Sequence, residues 1–133
     1  MSAAVLDASA FLAYLREEPG ADVVEKVIGD GAAISTANLA EVLSRVADRG
    51  GNPQRVARQL TEQGLLHGAI AVEPMTTEDA IEIARLRPLT REHGLSLGDR
   101  ACVALARRLG APAVTADSAW SRADLDVDVR RIR

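Results

Sequence analysis

The sequence predicts a single α/β domain built in three layers, with a short, mainly parallel sheet of four to five strands between two sets of helices. Three observations carry that expectation. Short apolar runs of strand length alternate with segments whose apolar residues recur at helical spacing, the pattern of a parallel sheet covered by helices. The first run, Ala3-Ala4-Val5-Leu6, meets Asp7 and passes at once into the helical spacing of Ala8-Ser9-Ala10-Phe11-Leu12-Ala13-Tyr14-Leu15, as a buried strand feeding a helix does. The 133 residues, 47% of them hydrophobic, suffice for one real core and suggest one domain.

The elements follow in order. After the first helix, Pro19-Gly20 breaks the chain, and residues 21–28 read as a short amphipathic helix with Val23, Val24, Val27 and Ile28 apolar. Gly29-Asp30-Gly31 turns into a second strand, residues 32–35. A helix over 36–48 carries Leu39, Val42, Leu43 and Val46 on one face. Pro53 suits the first turn of the next helix, expected to run to about residue 66 before a third strand over 69–72. Thr77 is expected to cap a helix through Leu86 that Pro88 stops. Residues 89–97 form a connection with room for one helical turn. A strongly apolar helix over 97–109 ends at Gly110, and a fourth strand covers 113–115. Residues 117–123 read as a turn with a short helical piece, and 127–132 as a weak edge strand.

Composition excludes several function classes. The formal net charge of -3 rules out a globally basic nucleic-acid binder, and Phe11, Tyr14 and Trp120 are too few aromatics for a base-stacking platform. Cys102 is the single cysteine, which leans towards a reducing compartment, and His67 and His93 are isolated, so zinc spacing is absent. Neither a signal peptide nor a membrane span is legible, and a soluble cytoplasmic protein is expected. No Gly-rich phosphate loop follows the first strand, and no G-x-S-x-G elbow occurs.

What remains is a set of acids with one address. In a right-handed β-α unit the helix starts beside the strand's carboxyl end, where open α/β sheets place their ligands. Asp7 directly follows the first strand, and Asp117 follows the fourth in Val114-Thr115-Ala116-Asp117. Glu41 lies about one turn into the helix after the second strand, and helical side chains lean back towards the N-terminus. Asp99 lies in the first turn of the helix that Leu97-Gly98 opens. Each has a local alternative: Asp7 as an N-cap, Asp99 as the acid of a Ser96-Leu97-Gly98-Asp99 capping box, Asp117 as a turn starter, Glu41 as a solvated helix residue. Together, however, they would crowd one sheet edge. At about 4 Å and an effective dielectric near 20, one such pair costs about 4 kcal/mol. A hard divalent cation, Mg²⁺ or Mn²⁺, relieves that repulsion with oxygen ligands and supports phosphoryl chemistry through a metal-activated water.

Val5-Leu6-Asp7-Ala8-Ser9-Ala10, the Glu41 helix, Leu97-Gly98-Asp99 and Thr115-Ala116-Asp117 resemble the PIN domain, in particular the VapC-type toxins of bacterial toxin–antitoxin pairs. The likeness spans essentially the whole chain, in order. It implies a PIN-like fold and a Mg²⁺- or Mn²⁺-dependent endoribonuclease acting on RNA. It also implies a homodimer, held in check by a VapB-type antitoxin through which alone DNA is contacted. Carried over, Asp7, Glu41, Asp99 and Asp117 become the metal-binding, catalytic acids, with Ser9 and Thr115 as neighbouring hydroxyls. Asp124 and Asp126 are left as surface acids, and Trp120 as packing. Arg91 and Arg100, flanking the Asp99 segment, are the expected RNA contacts. The rival reading is a non-catalytic α/β interaction module whose acids cap helices or bind a structural cation. A phosphate-receiver domain fits less well, because Lys26, the only lysine, is in the wrong place for it.

Overall fold

The computed structural model describes residues 2–133, apart from the side chain of Ser121. Five strands and six α-helices alternate: β1 (Ala4–Leu6), α1 (Ala8–Leu15), α2 (Ala21–Gly29), β2 (Ala32–Ser35), α3 (Thr36–Asp48), α4 (Pro53–Glu62), β3 (Ile70–Glu73), α5 (Thr77–Thr90), α6 (Leu97–Leu109), β4 (Ala113–Thr115) and β5 (Val129–Arg131). Short 3-10 turns at Arg91–His93 and Ser118–Arg122 fill the two connections where single helical turns were expected.

All strand pairs are parallel, in the order β3-β2-β1-β4-β5. The central strand, β1, is buried throughout, which is why it reads as an uninterrupted apolar run. Its residues still divide between two cores. Ala4 and Leu6 pack with Phe11, Val24, Ile28, Val42 and Leu60 on the side of α1 to α4. Val5 packs with Leu86, Cys102, Val103, Leu105 and Trp120 on the side of α5 and α6. Trp120 is fully buried, so it is packing, as expected. Strand order reverses at β1: β2 and β3 extend to one side of it, β4 and β5 to the other. The carboxyl ends of β1 and β4 therefore flank the switch point where doubly wound sheets open a crevice. Among the described residues, no helix is long and apolar enough to cross a membrane.

Three boundaries differ from the sequence expectation. α4 stops at Glu62 instead of continuing to about residue 66, because Gly64 takes a left-handed φ of +81° and the amides of Leu65 and Leu66 fold back onto the Leu60 carbonyl. Leu66 is thereby delivered to the core and to a bridge with Ile70. α5 is capped by Thr76, one residue before the expected cap, in a reciprocal box with Asp79. Pro88 does not stop α5, which runs on to Thr90. A proline inside a helix removes an amide donor. The carbonyl that loses its amide partner is that of Ala84, while carbonyls on either side of it are reinforced by side chains: Leu86 by Thr90 Oγ1 at 2.8 Å and Ile83 by the Arg100 guanidinium at 2.9 Å.

Candidate active site

Asp7 is the N-cap of α1, its Oδ1 accepting from the Ala10 amide at 2.8 Å. The cap reading is thus correct, and it does not exhaust the residue. Asp7 Oδ2 accepts from Thr115 Oγ1 at 2.6 Å, across from β1 to the end of β4. Ser9 Oγ lies 2.7 and 2.9 Å from the two Asp7 oxygens and donates to the carboxylate. The amides of Ala116 and Asp117 donate in turn to Ser9 Oγ and Thr115 Oγ1, both at 3.0 Å. An ionised carboxylate can only accept, so each hydroxyl turns its proton to Asp7 while its oxygen accepts an N–H. Ser9 and Thr115 therefore orient Asp7 and join the two strand ends at the switch point.

Burial dominates the electrostatics of Asp7. The residue is 2% exposed, and desolvation pushes its pKa up to about 6, outweighing the hydrogen bonds from Thr115, Ala10 and Ser9. Glu41 and Asp99 are also raised, first by burial, with Asp99 adding repulsion on Glu41 and Asp117 on Asp99. Asp99 occupies the predicted capping box: Ser96 N donates to its Oδ2 at 2.9 Å and its own amide donates to Ser96 Oγ at 3.1 Å. Asp117 caps the following 3-10 turn through Ala119 N at 2.8 Å. Cap and cluster coincide, because a helix start at the strand ends serves both.

Asp7, Glu41, Asp99 and Asp117 all line one pocket of about 340 Å³, together with Ser9. Four separate segments bring them there. Thr115 stands immediately behind Asp7, fully buried. Asp124 and Asp126 are exposed and lie outside this pocket.

Sequence reasoning missed Asn38, Gly98 and the pocket's arginines. Asn38 is 1% exposed, and its Nδ2 donates to Glu41 Oε1 at 2.8 Å and to the Gly98 carbonyl at 2.9 Å. It ties the Glu41 carboxylate on α3 to the first turn of α6, which carries Asp99. Its position three residues before Glu41, on the same helix face, was a usable signal. Gly98 is the other half of that junction: a Cβ there would overlap the Glu41 carboxylate. Arg16, Arg45 and Arg133 also line the pocket. Arg45 was findable four residues after Glu41, whereas Arg16 and Arg133 reach the pocket only through the fold. Of the two expected RNA contacts, Arg91 stands exposed in a 3-10 turn outside the pocket. Arg100 is corrected: it is 7% exposed, packed between α5 and α6 and engaged with the Ile83 carbonyl, because the polar atoms of the α5 backbone capture its guanidinium.

The residues present fit a hard divalent cation in donor type, since they offer carboxylate and hydroxyl oxygens and no His or thiolate. Among the described residues no group of three or more acids, His or Cys is arranged to hold an ion alone.

The PIN domain family model matches residues 4–125, from β1 to beyond β4. The chain belongs to the PIN domain family. Among curated proteins, none matches it. Solved structures do. VapBC-5 from Mycobacterium tuberculosis, described as a member of the VapBC family of toxin-antitoxin systems, is 26% identical with a TM-score of 0.62, over 97% of this chain and 98% of that one. The DNA-bound VapBC of Salmonella typhimurium is 14% identical with a TM-score of 0.73 over all of both chains. VapC20 of Mycobacterium tuberculosis, described as a toxin cleaving the Sarcin-Ricin loop, is 17% identical with a TM-score of 0.68, over 89% and 92%. The PIN fold of this chain is thus a VapC-like one, and Asp7, Glu41, Asp99 and Asp117 lie at the carboxyl edge of the PIN sheet.

Proposed function

We propose that this PIN domain is a Mg²⁺- or Mn²⁺-dependent endoribonuclease, the toxin of a VapBC-type pair. One observation carries the reading: four carboxylates from four segments line a single pocket at the switch point of the sheet. Capping explains Asp7, Asp99 and Asp117 one by one, leaves out Glu41, and gives no reason for the convergence of all four. Asp7, Glu41, Asp99 and Asp117 would hold the cation, which when bound neutralises charge on the phosphate and activates water. The chain's own residues do the rest. Ser9, Thr115 and the Ala10 amide fix the orientation of Asp7, and Asn38 fixes Glu41. The strand ends wall the pocket floor from solvent, since Asp7 and Thr115 are buried. The VapBC likeness further supports a VapB-type antitoxin as partner in a complex that meets DNA; contact with DNA through that antitoxin alone, a homodimeric toxin and a cytoplasmic site of action on RNA complete the proposal.

The deciding experiment is incubation of the purified protein with mixed cellular RNA in Mn²⁺, in Mg²⁺ and in excess chelator. Internal cleavage in either metal that stops with chelator is expected. Intact RNA under all three conditions removes the nuclease reading, and undiminished cutting in chelator removes the metal.

Gly98 offers a more local test of how Glu41 is placed. Gly98→Ala puts a methyl group where the Glu41 carboxylate lies and forces that carboxylate aside. The carboxylate is the end of a flexible side chain, and alanine favours a helix by about 0.5–1 kcal/mol over glycine, so the fold should keep its melting temperature. Cleavage should fall by at least about tenfold, the lower range for disturbing a metal site's supporting contacts. A variant as active as the parent would show that Glu41 need not sit where Asn38 holds it.

A further inference from the structure

An RNA strand carries a negative charge at every phosphate, and four carboxylates are a poor surface to bring it to. A cation offsets this at one point only, and phosphates to either side of that point still meet a negative field. The same pocket carries a countercharge. Arg45 follows Glu41 by four residues on α3, so it lies on the same face one turn further from the sheet edge. Arg16 is the C-cap of α1, the helix whose N-cap is Asp7, and it lines the pocket roughly two turns along from that acid. The pocket is therefore acidic towards the starts of α1 and α3 and carries arginines further along the same two helices, where its one further acid, Glu18, is paired with Arg133. This runs against a chain whose net charge is -3.

Neither guanidinium is held in an ion pair, although Arg45 lies close enough to Glu41 to favour its charged form. Arg85, Arg107, Arg108, Arg130 and Arg133 are each in an ion pair, and Arg133 additionally donates to the Pro19 carbonyl at 2.9 Å. Among the described residues, Arg16 and Arg45 have neither an ion pair nor a side-chain hydrogen bond. A guanidinium offers a planar fork of donors matched to the oxygens of a phosphate.

We propose that Arg16 and Arg45 form a phosphate subsite, holding backbone phosphates of the RNA strand next to the one placed at the acids. The inference rests on the nuclease reading for its substrate, and names the residues that seat that substrate. The contact is with phosphate oxygens, so it is indifferent to base and to the 2′-hydroxyl.

The test measures binding of a fluorescent single-stranded RNA, and of single-stranded DNA of the same sequence, by anisotropy in the Asp7→Asn background, where RNA stays intact. Arg16→Ala and Arg45→Ala should each weaken both oligonucleotides about tenfold at low salt, the scale of one charge-assisted hydrogen bond. The double variant should flatten the log–log salt dependence by about 1.4, at about 0.7 per single-strand phosphate contact. Arg58→Ala, the same charge change at an exposed site on α4, should leave the slope alone. With Asp7 restored, KM should rise in both variants with little change in kcat, and the Mn²⁺-induced rise in melting temperature should persist. Unchanged affinity and slope would overturn the subsite, as would a loss on RNA without a loss on DNA. Preference for a polyglutamate peptide over RNA, lost with the same arginines, would overturn it in favour of an acidic protein segment. If the parent protein cuts no RNA yet both arginines are needed for binding, the subsite stands and the nuclease reading falls.

Discussion

Asp7→Asn should abolish RNA cleavage and leave a fold that, without metal, is more stable at pH 7 than the parent. The two effects have separate causes. A carboxylate that ligates a cation is replaced by a neutral amide, and disturbing even the supporting contacts of metal ligands costs about 10–100-fold. Loss of the ligand itself should exceed about 100-fold. The stability gain follows from burial. Asp7 is 2% exposed and its pKa is pushed up to about 6 from 3.8, so its ionised form is disfavoured in the native state. About two pKa units correspond to roughly 3 kcal/mol at pH 7. Asparagine keeps the shape and the cap to the Ala10 amide and removes the charge. Its Nδ2 would face the Ser9 and Thr115 hydroxyls that now donate to Oδ1 and Oδ2, and these must turn to accept it. The net gain should therefore be smaller, about 1–2 kcal/mol. Denaturant unfolding in chelator and an RNA-cleavage assay in Mn²⁺ measure the two halves. A folded variant that cuts at the parent's rate would end the assignment of the pocket as a metal site.

The second large effect is an inversion of pH dependence by metal. In the folded state the pKa of Asp7 is raised, so its contribution to stability is fully present below about pH 4 and is lost as pH rises through about 6. Glu41 and Asp99 are shifted in the same direction. The metal-free protein should accordingly gain stability between pH 7 and pH 5, by roughly 1 kcal/mol from Asp7, with the full effect of roughly 3 kcal/mol reached only below about pH 4. Ligation needs the ionised carboxylates, so the cation competes with protons. At pH 7.5, Mn²⁺ at a hundred times its Kd should add about 2.7 kcal/mol, and at pH 5 that increment should shrink towards zero. Thermal melts with and without Mn²⁺ across this range would show the metal-bound and metal-free curves converging at low pH. A melting temperature unmoved by millimolar Mn²⁺ at pH 7.5 would contradict the site, whatever the apo protein does.

Much of this protein is decided locally and was legible before any tertiary contact was known. The apolar run 3–6 ending in Asp7, the second strand ahead of the Glu41 helix, and the capping box at Ser96 each follow from short-range chemistry: burial on both faces, helix period, an oxygen in reach of a free amide. Those same rules place Asp7, Asp99 and Asp117 at element starts and Glu41 about one turn into α3, so the four-acid edge could be read from residue order and the handedness of β-α units. Strand order is a different kind of quantity. Nothing local distinguishes β3-β2-β1-β4-β5 from other parallel orders, and the order adopted sets β1 beside β4, so that Thr115 reaches Asp7 over 108 residues of chain. Arginine defeated the sequence reading for a related reason. A long flexible side chain goes wherever the fold offers acceptors, and Arg100 was taken by the Ile83 carbonyl near Pro88, while Arg16, at the far end of α1 from Asp7, was carried to the pocket by that helix. Short side chains on regular elements inherit their position from the backbone, whereas the ends of long ones are placed by neighbours that only the assembled tertiary structure supplies.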